Sequence, residues 1–278
     1  MEFAVVAAQR GHDVTLYEQD SRLGGQINLI GALPGKKVFQ EAVRSFTGRL
    51  EASGARVNLK SSLTGGIVEE NRPDVVVVAS GAVPATATFE GAHRTGVVSA
   101  WDVINDNIPD IGSHVVVVGG SATGCETALL VARLATPDPE VSAFLSFHSA
   151  DEPGRIARLL HDAGRKITVI DQVGRLAANV GPSTRWPLMK SLGHMGVDLR
   201  PGTKLVAIEQ DAVIVETEAG RESIRADTVI IAVGSRSVNG LMYELRADLT
   251  EVIAIGDAKE PRKIIDAVRE GFDEALKI

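Results

Sequence analysis

The sequence predicts an α/β protein of two Rossmann-like units, one inserted into the other. Three observations carry this. First, "HVVVVGGSATGCETALLVARLA", 114–135, reads as a buried strand, a tight turn and an apolar helix. Second, short β-branched runs ending on small or acidic residues recur as "VTLYE", "DVVVVASG", "KITVID", "DTVIIAVG" and "EVIAIGD". Such near-continuous apolar runs are what strands covered on both faces require. Third, each half of the chain holds a βαβ core followed by an apolar strand ending in Ala-x-Gly, so two units of one design account for the whole.

Taken in order, residues 2–9 carry apolar side chains at helical spacing and Gly11 ends that helix. "DVTLYE" is a strand, "LGGQINLIGALPG" a glycine-rich loop, 36–53 a helix broken by Gly54, and "ARVNLK" a strand. "DVVVVASG", 74–81, is a buried strand; 82–111, punctuated by Pro and Gly around Trp101, is a connection. After the restart at 114, "KITVID" is the next strand and "WPLMKSLGHMGVDLRPG" a helix then a strand. Residues 204–226 form an antiparallel meander turning at Glu218 to Gly220. "DTVIIAVGSR" repeats the theme of "DVVVVASGAVP", and "EVIAIGDA" leads into a helix from about Pro261 to Leu276. The first unit is thus expected at 1–111 and 236–278. The second is expected at 112–235, with a partly helical insertion at about 136–164.

Composition narrows the function. A net charge of −7 argues against nucleic acid. The single cysteine, Cys125, excludes an internal disulfide and an iron–sulfur cluster ligated by cysteines of this chain alone. No signal peptide and no membrane-length apolar run are seen, so the cytoplasm is the default expectation. Oligomeric state cannot be read.

The turn Gly119, Gly120, Ser121, Ala122, Thr123, Gly124 follows the dinucleotide fingerprint in its first and last glycines and departs from it at Ser121. Gly119 makes the tight turn and Gly124 lets the helix approach the strand. The helix N-terminus offers N–H groups and positive dipole to an anion. An ordinary strand-to-helix turn is the competing reading. Asp171 ends the next strand, delayed by the spacer, where a carboxylate accepts ribose hydroxyls and repels a 2′-phosphate; NADH is favoured over NADPH, although Arg175 lies close by. Glu18 ends "VTLYE" in the same way, and Asp257, after Gly256, suits a flavin ribityl or phosphate-proximal hydroxyl. Each acid is alternatively a solvated strand end. His12, His114, His148, His161 and His194 show no ligand spacing, His148 reads as structural, and Cys125 as buried packing.

"RGHDVTLYEQDSRLGGQ", "VVVVASGAVP", "VVVVGGSATGCETA", "GPSTRWPLMKSLGHMGVDL" and "IAIGDAKEPRKIIDAVREGF" together resemble the C-terminal region of the 2-enoate reductase and 2,4-dienoyl-CoA reductase family of NADH:flavin oxidoreductases. The resemblance spans essentially the whole chain and implies nucleotide-binding domains of the pyridine nucleotide-disulfide oxidoreductase type. It implies that Glu18, Gly24, Gly25, Gln26 and Asp257 belong to an FAD site, and the strand-end residues Ser80, Gly81, Gly234 and Gly256 are counted among the cofactor-binding positions. It also implies that the 119–124 turn with Asp171 holds NAD(H). Ser80 departs from the family's usual threonine. Full family members carry an FMN-holding barrel and a 4Fe-4S site ahead of this module, and pass electrons from nicotinamide through FAD and the cluster to FMN and an alkene. Neither barrel nor cluster ligands occur here, nor a first strand with its Gly-x-Gly-x-x-Gly loop before residue 2. That strand is expected between "VTLYE" and "VIAIG". Met1 therefore reads as an internal methionine, and FAD binding as impaired. Three functions stay open: the electron-input module of an alkene reductase, a non-catalytic NAD(H)-binding module, or an inactive truncation.

Overall fold

The computed structural model describes residues 1–86, 88–106, 110–160, 164–245 and 251–278. The fold is two Rossmann-type α/β units interleaved along the chain: Met1–Val83 with Ser235–Ile278, and Pro84–Gly234.

The Pro84–Gly234 unit is built on a five-stranded parallel sheet. Its order is Val97–Ser99, Thr228–Ile231, His114–Val118, Lys166–Asp171, Asp198–Pro201. Alternation along "HVVVV" explains why the run is apolar throughout. Val115 and Val117 point into a core with Cys125, Ala128 and Leu192 of the helices Ala122–Leu134 and Pro182–His194. Val116 and Val118 point the other way, against Leu205, Val213 and Val215 of the antiparallel strands Lys204–Ile208 and Ala212–Thr217. A strand covered on both faces has no position for a polar side chain. Each such valine contributes roughly 1.5–3 kcal/mol of transfer free energy. The meander is completed by Gly220–Arg225. The stretch between the Ala122 helix and Lys166 holds the helices Pro139–Phe147 and Pro153–Leu159.

Two connections differ from the sequence expectation. Residues 26–32 of "LGGQINLIGALPG" form a helix, Gln26–Ala32. Within 82–111 lie the strands Ala82–Pro84 and Val97–Ser99 and a helix, Ala100–Ile104, and the residues from 84 onward group with the second unit. The reason is pairing at long range: Val97, Val98 and Ser99 take Val229, Ile230 and Ile231 as parallel partners. A three-residue edge strand has too little periodicity to announce itself.

The Met1–Val83 and Ser235–Ile278 unit is different in kind. Thr15–Glu18 pairs in parallel with Arg56–Leu59, and Val252–Ala254 pairs in parallel with Val76–Val78. Among the described residues no strand joins these pairs, which remain separate two-stranded sheets. The helix Glu2–Gln9 packs against both Val38–Ser53 and Ile264–Ala275. Ala4 and Val5 meet Leu50 on one side, and Val6 and Ala7 meet Ala275 on the other. All four residues of Thr15–Glu18 are only half-buried, against near-complete burial of the central strand of the other unit. No helix among the described residues is long and apolar enough to cross a membrane.

Candidate dinucleotide sites

In the second unit the strand His114–Val118 leads straight into the glycine turn. Gly119 has φ +108°, and a Cβ there would lie 2.4 Å from the Ala232 carbonyl oxygen. A Cβ on Gly124 would lie 1.8 Å from the carbonyl oxygen of Gly119, so helix and strand touch backbone to backbone. Gly120 was not one of the fingerprint glycines, yet a Cβ on it would meet Leu176 Cδ2 at 2.2 Å. Its carbonyl accepts from the Ala177 amide at 2.6 Å. The segment after Asp171 is therefore laid over the turn.

Asp171 ends its strand beside this turn. Its Oδ2 accepts from the Gly120 amide at 2.6 Å and its Oδ1 from the Val173 amide at 3.0 Å. A carboxylate oxygen has two lone-pair sites, so each keeps one for a further donor. Ser121 stands at the N-cap of Ala122–Leu134 without capping through its side chain; the Ala122 amide donates instead to Asn179 Oδ1 at 3.1 Å. The Thr123 carbonyl accepts from Thr127 Oγ1 within the helix. Gly234, at φ +107°, closes the unit and accepts from the Ala85 amide. Asn179 escaped the sequence reading because it lies 57 residues from its partner. An asparagine in a short polar loop carries no signal of its own.

In the first unit, three distant segments converge. Gln26 Nε2 donates to Asp257 Oδ2 at 3.3 Å, and a Cβ on Gly81 would touch the same Nε2 at 3.4 Å. Asp257 Oδ1 accepts from the Arg262 amide at 3.1 Å. Gly81 is fixed by its carbonyl, which accepts from the Val238 amide, and Ser80 Oγ donates to the Val238 carbonyl. Gly24, at φ +114°, has no room for a Cβ between Asn28 and Val43, and Gly25, at φ +47°, opens the Gln26–Ala32 helix. Glu18 accepts from the Asp20 amide at 3.0 Å and is not among the groups that meet at Asp257.

Glu270 is the residue that sequence reasoning missed here. One oxygen accepts from the Gly256 amide at 2.8 Å and from Arg262; the other accepts from Lys259 at 2.6 Å. Burial pushes its carboxyl up, but the bonds from Lys259 and Gly256 and the two cations outweigh this and hold it below the ordinary glutamate range. Gly256, at φ +59°, and Asp257 form a short 3-10 turn that this carboxylate ties to the following helix.

Other reactive-looking groups are structural. Burial pushes the Cys125 thiol up to about 11, so it is no thiolate nucleophile at neutral pH. Ser113, His114 and Asp227 cluster, but Ser113 Oγ and Asp227 Oδ2 both meet the same ring nitrogen, His114 Nδ1. A charge-relay triad needs them on opposite nitrogens. Asp227, held low chiefly by the His114 backbone amide, ties the amino end of the strand. His148 lies against the rings of Phe144 and Phe147. His161 lies outside the described residues. Among the described residues no group of three metal-ligating side chains comes together.

A glycine turn closed against a buried parallel strand in one α/β unit, and a Gly-Asp turn after a strand in the other, are the elements of an interleaved two-unit Rossmann-type protein. The chain belongs to the pyridine nucleotide-disulphide oxidoreductase family, whose model matches residues 1–271. It is thus a module of FAD- and NAD(P)-dependent oxidoreductases. A metal reductase of Desulforamulus reducens is 36% identical over 281 residues, covering 100% of this chain and 42% of the relative. An NADH oxidase of Thermoanaerobacter brockii is 32% identical over 287 residues, covering 100% of this chain and 39% of the relative. The chain therefore spans about two fifths of these relatives. A solved structure of 2-naphthoyl-CoA reductase superposes with a TM-score of 0.84 over 100% of this chain and 38% of the other, at 24% identity, a likeness of fold.

Proposed function

We propose that the chain is an electron-input module: the Pro84–Gly234 unit binds NADH, the other unit contributes to an FAD site, and hydride passes from nicotinamide to flavin. The observation that carries this is the 119–124 turn, whose three glycines sit where any Cβ would strike backbone or a packed side chain. The residues fit a dinucleotide. Gly119, Gly120 and Gly124 let the backbone of the turn pack closely, Ser121 stands at the N-cap of the helix, and Asp171 keeps lone pairs for ribose hydroxyls. NADH is favoured over NADPH because a 2′-phosphate would face this carboxylate.

The FAD residues fit in part. Gln26, Gly81 and Asp257 meet in the first unit, and Glu270 holds the Gly256–Asp257 turn. A Gly-x-Gly-x-x-Gly cradle for the FAD pyrophosphate is not among residues 1–278. FAD should therefore bind weakly to these residues alone. The cofactors, when bound, supply the hydride chemistry itself; the chain's share is orientation and exclusion of water.

The relatives are named for different acceptors, which favours reading the shared portion as lying upstream of the acceptor. The resemblance of "GDAKEPRK" and its flanking segments to the 2-enoate and 2,4-dienoyl-CoA reductases favours an FMN- and 4Fe-4S-containing partner unit that reduces an alkene, in cis or in trans. The split sheet of the first unit favours a second reading for these residues in isolation, a non-catalytic NAD(H)-binding module.

Nicotinamide fluorescence during NADH titration tests the first step, beside an absorption spectrum for flavin. Saturable NADH binding should weaken about tenfold in Asp171→Ala, the loss of hydrogen bonds to ribose, and NADPH should bind less tightly than NADH. Binding indifferent to Asp171→Ala overturns the ribose assignment. A purified protein free of flavin that takes up none favours the second reading. NADH oxidation that depends on an enoate, once the chain is combined with an FMN and iron–sulfur unit, tests the acceptor.

A further inference from the structure

We propose that Asn179, whose side chain here caps the first amide of the helix Ala122–Leu134, is a ligand of the dinucleotide's diphosphate. This rests on the NAD(H) reading of the second unit. The helix Ala122–Leu134 presents its first amide at the mouth of the glycine turn. That amide is engaged from outside the helix, by Asn179 Oδ1 at 3.1 Å, while Ser121 at the N-cap makes no cap bond through its side chain. The bond is exposed, so exchanging it for another costs little.

The backbone that carries Asn179 is held. Ala177 donates to Gly120 O at 2.6 Å and adopts φ +50°, a left-handed conformation that a non-glycine residue keeps only when its surroundings impose it. Leu176 is buried against Gly120, its carbonyl accepts from Arg185 Nε at 3.0 Å, and the Val180 amide returns to Ala177 O at 3.1 Å. Asp171 ties both Gly120 and Val173. The segment flanking Asn179 is therefore fixed to the turn on which a dinucleotide would lie, while its side chain is exposed.

A carboxamide carries an acceptor and a donor on one carbon, and half a turn about Cβ–Cγ exchanges them. In this structure Oδ1 accepts from Ala122. A diphosphate at the helix N-terminus takes over that amide as acceptor, and Asn179 turns Nδ2 to donate to a phosphate oxygen. No backbone moves, and no amide is left unpaired in either state. Alanine can do neither task. Aspartate can do the first, and as an anion opposes the second.

The test measures ligand-free melting temperature, and affinity for NADH and for ADP-ribose, in the wild type, Asn179→Ala and Asn179→Asp. Asn179→Asp should melt no lower than the wild type, since a carboxylate caps at least as well. Its dissociation constants should nevertheless rise more than those of Asn179→Ala, which should rise about tenfold, the loss of one hydrogen bond to a charged group. NADH and ADP-ribose should lose the same factor, because they share the diphosphate and differ at nicotinamide. An Asn179→Ala affinity within about twofold of the wild type, or an Asn179→Asp variant binding as tightly as the wild type, overturns the proposal. Loss for NADH with none for ADP-ribose overturns it too. A wild type that binds neither ligand overturns the NAD(H) reading itself.

Discussion

Two glycines in one unit should respond to the same added methyl with opposite signs. Gly124 lies in the first turn of Ala122–Leu134, and its Cβ would sit 1.8 Å from the Gly119 carbonyl oxygen, 2.9 Å from its carbon and 3.3 Å from the Ala232 methyl. Ordinary contact begins more than 1 Å further out, and the obstacle is backbone of the strand-to-helix turn, which cannot swing aside as a long side chain can. Relief requires the helix to back away from the sheet, opening the packing of Cys125 and Ala128 against Val115 and Val117. Overpacking of this kind costs about 3 kcal/mol or more. Gly193, in Pro182–His194, has nothing within 4 Å of its added Cβ and no left-handed φ. There alanine should stabilise by about 0.5–1 kcal/mol through helix propensity. For a domain of this size a kilocalorie moves Tm by roughly 2–4 °C. Scanning calorimetry of Gly124→Ala should therefore show the transition of this unit lowered by roughly 6–12 °C, with NADH binding lost, and Gly193→Ala slightly raised. A Gly124→Ala protein with wild-type Tm and NADH affinity would refute the argument that the turn is built on backbone contact.

Glu270 predicts a pH dependence. Its folded-state pKa is depressed by Lys259, Gly256 and Arg262, so the stability it contributes is present above the ordinary glutamate value near 4.3 and disappears as pH falls through the lower folded value. Glu270→Gln should be less stable than the wild type by about 1 kcal/mol at pH 7, and urea melts should show that difference shrinking towards pH 3. A difference that stays constant with pH would mean the carboxylate charge does nothing there. The edges of Thr15–Glu18 and Val252–Ala254 that no strand among the described residues covers predict that about ten to twenty residues of strand and Gly-x-Gly-x-x-Gly loop, fused ahead of Met1, raise melting temperature, bound flavin and NADH-dependent dye reduction together. If the extended protein binds no FAD, or the shorter one reduces dye as fast, the strand-gap argument fails.

What the sequence alone determined is what local chemistry dictates. "HVVVV" could only be a strand buried on both faces, because alternate valines leave no polar position. The turn that follows needed glycine at 119 and 124 for a helix to start at once behind a strand, and Asp171, Glu18 and Asp257 could be placed at strand ends by the runs that precede them. The tertiary structure decided what depends on distant partners. Val97–Ser99 became an edge strand of the second unit only because Thr228–Ile231 offered it a ladder, pairing Val97 with Val229, 132 residues away in sequence. Gly120 became a packing glycine through Leu176, Asn179 reached the first amide of a helix, and Glu270 gathered Gly256, Lys259 and Arg262 into one cluster. Periodicity reports which face of an element is buried. It is silent on which element buries it, since backbone pairing and side-chain capping use groups that every residue, or any polar loop, can supply.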